Sequence, residues 1–233
     1  MHTDKVRFGT REIKYSIITK SRSTLQINVE PEGDIVVMAP SSASPEIIQN
    51  IVKKRALWII KQQAHFKTYY QKPIKKEYVS GETHRYLGKQ YRLKVVQREK
   101  EQVVQKGKYI YLFVRSKSKA GILLEDWFHV KAKKMFKSKL EILLRKMSNE
   151  KIKPKQLKIR SMKTRWGSCT PGGNIILHPA LIKAPTECIE YVIVHELCHL
   201  KYFKHDRRFY SLLERYCPNY MKRKDKLNKQ EIL

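Results

Sequence analysis

The chain has 233 residues, 41% of them hydrophobic, and its 50 Lys and Arg face only 21 Asp and Glu, for a net charge of +29. Such a composition excludes an intrinsically disordered chain, and no apolar run reaches the roughly 18–20 residues that a membrane-spanning helix needs. The length admits one large domain or two small ones with ample core.

In chain order, Met1-His2-Thr3-Asp4-Lys5 leads into charged, alternating sequence, without the apolar stretch of a secretory leader. Four sparse cysteines, Cys169, Cys188, Cys198 and Cys217, form no Cys-x-x-Cys pair. Reduced, mostly buried thiols in a cytoplasmic protein are the expectation. Alternation at Ile13, Tyr15 and Ile17, at Leu25, Ile27 and Val29, and at Ile35 and Val37 predicts three short antiparallel strands. Ser44-Pro45-Glu46 then opens a helix, with Ser as N-cap and Pro in the first turn. Ile47, Ile48, Ile51, Ala56, Ile59 and Ile60 carry it towards Tyr70, with Trp58 as a packing anchor and Pro73 as its stop. This gives an N-terminal region, 1–75, of β-strands plus one long helix.

The remainder, 76–233, starts with a hairpin punctuated by Gly81 and Gly88, in which His84 reads as structural or solvated. Further strands are predicted near Gln102–Val104 and Tyr109–Val114. A long helix follows from about Lys119 to Met147, built on Ile122, Leu123, Trp127, Val130, Met135, Leu140, Leu143 and Leu144. Leu157–Ser161 and Asn174–Leu177 read as strands around an irregular Met162–Gly173 segment. Pro185-Thr186-Glu187 starts one more helix. Asp206–Tyr216 forms another, with Phe209, Leu212 and Leu213 inward, and a basic tail helix follows Cys217-Pro218. The fold class expected is α+β: an antiparallel β-rich N-terminal region with a long helix, then a helical C-terminal core, which its His195-Glu196-Leu197-Cys198-His199 motif makes one of zincin type.

The chemistry concentrates at His195-Glu196-Leu197-Cys198-His199, with His205 six residues on. Side chains four apart share a helix face, so His195 and His199 can aim at one point, with Glu196 about 100° round from His195. Zinc takes a few nitrogen ligands in tetrahedral array, and a catalytic site leaves one position open for water. The metal lowers that water's pKa to about 7, and an adjacent carboxylate can take its proton. His205 is the candidate third ligand, which requires the helix to end or bend after His199. Asp206, Glu190 and Glu214 are acidic rivals for that place. The apolar stripe Ile189, Ile193, Leu197 and Leu200, with Cys188, Tyr191 and Val192 on the histidine side, describes a helix buried on two sides. Buried imidazoles need partners, and a metal is one.

Arg165-Trp166-Gly167-Ser168-Cys169, Gly173-Asn174-Ile175, Tyr191 to Leu200, and His205 with Phe209 together resemble the YgjP-like metallopeptidases. Ser80-Gly81-Glu82 and Tyr86-Leu87-Gly88 fit the same pattern, so the resemblance spans about 22–227 as one continuous domain. It implies a gluzincin-like peptidase with His195, His199 and His205 as zinc ligands, Glu196 as general base, and a protein or peptide as substrate. It also implies kinship with the SprT and WLM proteases, some of which act on DNA-bound proteins. Metzincins with the same His count place a Gly in the turn after the second His; here that position is Tyr202. Tyr202, Arg165 and His178 are candidates to stabilise an oxyanion, although Arg165 could instead brace its loop. Trp166 is expected to pack beneath that loop, and Asn174–Leu177 to be an edge strand that receives substrate backbone.

The positive charge admits non-specific DNA or RNA contact through a basic surface, or a merely solvated Lys-rich one. Competing functions are a basic nucleic-acid-binding protein with a structural zinc, and a zinc hydrolase of a non-peptide amide. No membrane partner is expected.

Overall fold

The structure, a computed structural model, describes residues 2–30, 32–69, 76–162 and 165–229. It divides into two units, Met1–Lys72 and Pro73–Leu233.

In the first unit, alternate side chains of β1 (His2–Phe8), β2 (Arg11–Lys20), β3 (Gln26–Val29) and β4 (Ile35–Pro40) build one sheet in the order β1-β2-β4-β3. The expected all-antiparallel arrangement is corrected in one place: β2 and β4 run parallel, and β3 pairs with the far side of β4. Strand β1 is an addition, since only Val6 and Phe8 of it pack against the core and little alternation announces it. Ser44 caps α1 (Pro45–Lys54) as expected, its side chain accepting from the Ile47 N–H. The predicted helix is broken at Arg55, and α2 (Ala56–Tyr69) continues beyond it. Ile48, Val52, Ala56 and Ile59 are buried, whereas Trp58, expected as a packing anchor, is 42% exposed.

In the second unit, β5 (Thr83–Tyr86), β6 (Lys89–Gln97), β7 (Gln102–Lys106) and β8 (Tyr109–Val114) form a sheet in the order β5-β6-β8-β7. Its inner face, with Leu93, Ile110, Leu112 and Val114, is buried together with Leu124, Phe128, Ala132 and Phe136 of α3 (Ala120–Lys146). The i, i+4 spacing of those four helical residues defines the buried stripe of α3. Ile122 and Val130, assigned to that stripe from sequence, lie off it and are 68% and 65% exposed. His84 is buried, with its Nε2 3.0 Å from a Glu82 carboxylate oxygen. It is structural, as expected of a lone histidine in a hairpin.

A three-stranded sheet, β9 (Gln156–Ile159), β10 (Gly167–Cys169) and β11 (Asn174–Leu177), runs in the order β10-β11-β9. Three helices complete the unit: α4 (Thr186–His199), α5 (Arg207–Tyr216) and α6 (Tyr220–Asn228). The β5–β6 hairpin tip seats the start of α4. The Leu87 and Gly88 N–H groups donate to the Ile182 and Lys183 carbonyls at 2.9 and 3.1 Å. Gly88 has φ +79°, and a Cβ there would lie 2.8 Å from Pro185 Cγ, so only glycine lets the tip approach so closely. Among the described residues no helix is long and apolar enough to cross a membrane.

Candidate metal centre

Helix α4 is buried along most of its length: Cys188, Ile189, Ile193, Val194, Leu197 and Cys198 are at most 1% exposed. The helix is therefore held by packing on several sides, and its imidazoles are placed by a rigid element. α4 ends at His199, as the sequence requires if His205 is to turn back. The turn is made without glycine. The Lys201 and Tyr202 N–H groups both donate to the Cys198 carbonyl, and neither residue has positive φ. Tyr202 then folds its own carbonyl back to His199 Nδ1 at 3.2 Å.

His195, His199 and His205 converge, with one nitrogen of each within 4.8 Å of the others. Ring centroids stand 4.9 Å apart for His195–His199, 5.0 Å for His195–His205 and 4.6 Å for His199–His205. His195 Nε2 and His205 Nε2 are 3.1 Å apart. Phe209 of α5 packs against all three rings. Burial first, then the neighbouring imidazoles, push His195 down to about 3, and burial lowers His199 and His205 as well. All three are thus neutral near pH 7, the form that can ligate a metal. The Nδ1 proton of His199 is committed to the Tyr202 carbonyl, which leaves its Nε2 lone pair free. Three neutral nitrogen donors around one point fit zinc.

The acidic rivals are elsewhere. Asp206 caps α5, accepting from the Phe209 N–H at 3.0 Å, and Glu190 is paired with Lys139 and Arg223. Among the described residues the three histidines are the one His/Cys/Asp/Glu group that converges in this way, and Glu214 is outside it.

Glu196 is 5% exposed and is wedged against β10. A Cβ on Gly167 would lie 2.6 Å from Glu196 Oε1, so that glycine makes room for the carboxylate. Burial pushes the Glu196 carboxyl up to about 8, while Arg165 and the Cys169 backbone N–H pull it down. Arg165, Gly167, His195, Glu196, His205 and Tyr210 are among the residues lining a cleft of about 380 Å³. A larger hollow of about 690 Å³, lined by residues of α3 and β9, contains none of these side chains.

Of the three oxyanion candidates, Arg165 lines the cleft and the other two do not. His178 Nδ1 accepts from the Ala180 N–H, and the Tyr202 ring lies beside Lys201 and Arg208. Trp166 sits edge-on to His178 and also lines the cleft. The expected edge strand is corrected: β11 is central, and β10, inside the segment read as irregular, is the edge beside Glu196. Trp166 and Thr170 bond across to His178 and Asn174, so the backbone groups of Gly167 and Cys169 point outward from the pair. Sequence reasoning also missed Glu150, which accepts from Lys201, Arg215 and Tyr216 at 2.8 to 3.0 Å and ties the turn after His199 to α5. Spacing gives no signal for such a residue, which lies about fifty positions away.

A family model described as YgjP-like, metallopeptidase domain, matches residues 23–230. No curated protein matches the chain. Among solved structures, the chain is similar to the metallopeptidase zymogen abylysin of Pyrococcus abyssi, at 23% identity over 40% of this chain and 90% of that one, with a TM-score of 0.36.

Proposed function

Because the chain belongs to the YgjP-like family of metallopeptidases, we propose that it hydrolyses peptide bonds with zinc held by His195, His199 and His205 and with Glu196 as general base. The observation that carries this reading is the convergence of three neutral imidazoles at a cleft that His195, His205 and the buried Glu196 line. Bound there, the ion would supply Lewis acidity and make a water acidic enough to attack near neutral pH.

The chain's own residues do the rest. Glu196, whose carboxyl Arg165 and the Cys169 N–H draw towards the ionised form against its burial, takes a proton from the attacking water and delivers it to the leaving amine. Gly167 and the Cys169 N–H hold that carboxylate on the β10 side of the cleft. The outward backbone groups of Gly167 offer an extended substrate a strand to pair with. Arg165 and Lys224 are the cationic side chains lining the cleft, and Arg165, beside Glu196, is the one assigned to the oxyanion. Proteins carried on nucleic acid are the finer substrate class, in keeping with the charge of +29.

The test is metal analysis of purified protein together with digestion of casein by wild type and Glu196→Gln. Zinc retained in both, with cleavage lost in the variant, is the expected result. Protein that neither contains zinc nor takes it up on titration would refute the proposal. Cleavage of small non-peptide amides but of no protein would move the reaction to another bond.

A further inference from the structure

The outer face of the β5-β6-β8-β7 sheet carries a second feature that the peptidase reading does not use. On β8, alternation sends Ile110, Leu112 and Val114 into the core and leaves Tyr109, Tyr111 and Phe113 on the opposite face, half-buried. The three rings form one column, with centroid spacings of 6.0 and 6.3 Å.

The register puts cations on both sides of it. Arg92 and Lys106 flank Tyr109, Lys94 and Val104 flank Tyr111, and Val96 and Gln102 flank Phe113. Lys94 Nζ sits 4.1 Å from the Tyr109 ring centre, and Arg98 covers Phe113 at 4.6 Å. The four strands contain no Asp or Glu. At the Tyr109 end a hollow of about 460 Å³ is lined by Thr83, Gln90, Tyr91, Arg92, Lys108 and Tyr109.

Cross-strand packing alone needs neither rings nor unopposed charge on a solvent face; β-branched residues pair as well there. An acidic polypeptide would satisfy the cations and leave the ring column without a role. A duplex buries its base faces and presents grooves that a sheet face lined with rings does not match. A single-stranded nucleic acid uses both parts, with bases stacking on aromatic side chains and phosphates meeting Lys and Arg alongside.

We propose that this sheet face binds single-stranded nucleic acid, with bases stacked on Tyr109, Tyr111 and Phe113, and phosphates held by Arg92, Lys94, Arg98 and Lys106. Lys94 and Arg98 now lie over the rings, and both are exposed, long side chains that can swing out to a phosphate. The hollow beside Arg92 and Lys108 takes the phosphate or sugar at one end of the bound segment.

The experiment is fluorescence anisotropy of the full chain with labelled oligo-dT of about 15 nucleotides, within the span that one such surface covers. Heparin, polyglutamate and a duplex of equal length serve as competitors. Expected are salt-sensitive binding, preference for the single strand over the duplex, and about tenfold weaker binding by Tyr111→Leu or Phe113→Leu. Tyr111→Phe keeps the ring and the affinity. Lys94→Ala lowers the salt slope by about 0.7. Leu preserves bulk on the strand, and circular dichroism and casein cleavage of these variants stay at the wild-type level. The proposal is overturned by absence of oligo-dT binding at low salt. It is equally overturned by Leu variants that bind like wild type, or by duplex or polyglutamate competing as well as single strand does.

Discussion

At the residue scale, the centre depends on a close approach that no composition reveals. Glu196 keeps its place because Gly167 has no side chain. Gly167→Ala should therefore displace the carboxylate and cut kcat by about ten- to a hundredfold, while zinc content stays unchanged, as metal analysis alongside a casein assay will show. Glu196→Gln, which keeps size but loses the base, should cost about 10²–10⁴ in rate. His205 is the most exposed of the three imidazoles, and its place rests on the turn at Leu200–Tyr202. His205→Ala should weaken zinc binding by orders of magnitude in a competition with a chromogenic chelator. Affinity equal to wild type would remove that residue from the ligand set.

At the element scale, the question is what keeps α5 near the end of α4. Glu150, from the segment after α3, gathers Lys201 in the turn and Arg215 and Tyr216 on α5. Hydrogen bonds led by that from Lys201 hold its carboxyl below the usual carboxylate range. A folded-state pKa lower than the unfolded one means that the stabilisation is complete above the unfolded value of about 4.3 and is lost as pH falls through the folded value. Glu150→Gln should thus remove part of the acid sensitivity of unfolding, followed by circular dichroism between pH 6 and 2. The same variant should loosen the support behind His205 and weaken zinc affinity about tenfold, since groups that orient ligands act at that level.

The elements themselves were readable where periodicity is local and strong. Such are α3, whose extent was legible although its buried stripe was not, α4 and α5 with their start signals, and the alternating β8. Strand β10 was not, because three residues rich in small side chains carry no period. The parallel pairing of β2 with β4 was not legible either, since register between segments apart in sequence leaves no mark within either one.

At the scale of the whole molecule, metal and fold should be linked. The three imidazoles sit on α4 and on the segment leading into α5, so an ion held by them joins those two parts of the second unit. Chelation should lower the melting temperature and zinc should restore it, because a ligand at 1,000 times its Kd stabilises the folded state by about 4 kcal/mol. A thermal scan that ignores both additions would disconnect the site from the fold. The sequence by itself determined the spacing of His195 and His199 and the neighbouring carboxylate, because one helical turn decides which side chains share a face. It also determined the excess of positive charge, which is a sum over residues. Only the tertiary structure decided that β10 is the edge beside Glu196, that the Tyr202 carbonyl orients His199, and that rings and cations form one grid on the outer sheet face. Each of those depends on which distant segments lie side by side, and strand register and chain turns settle that.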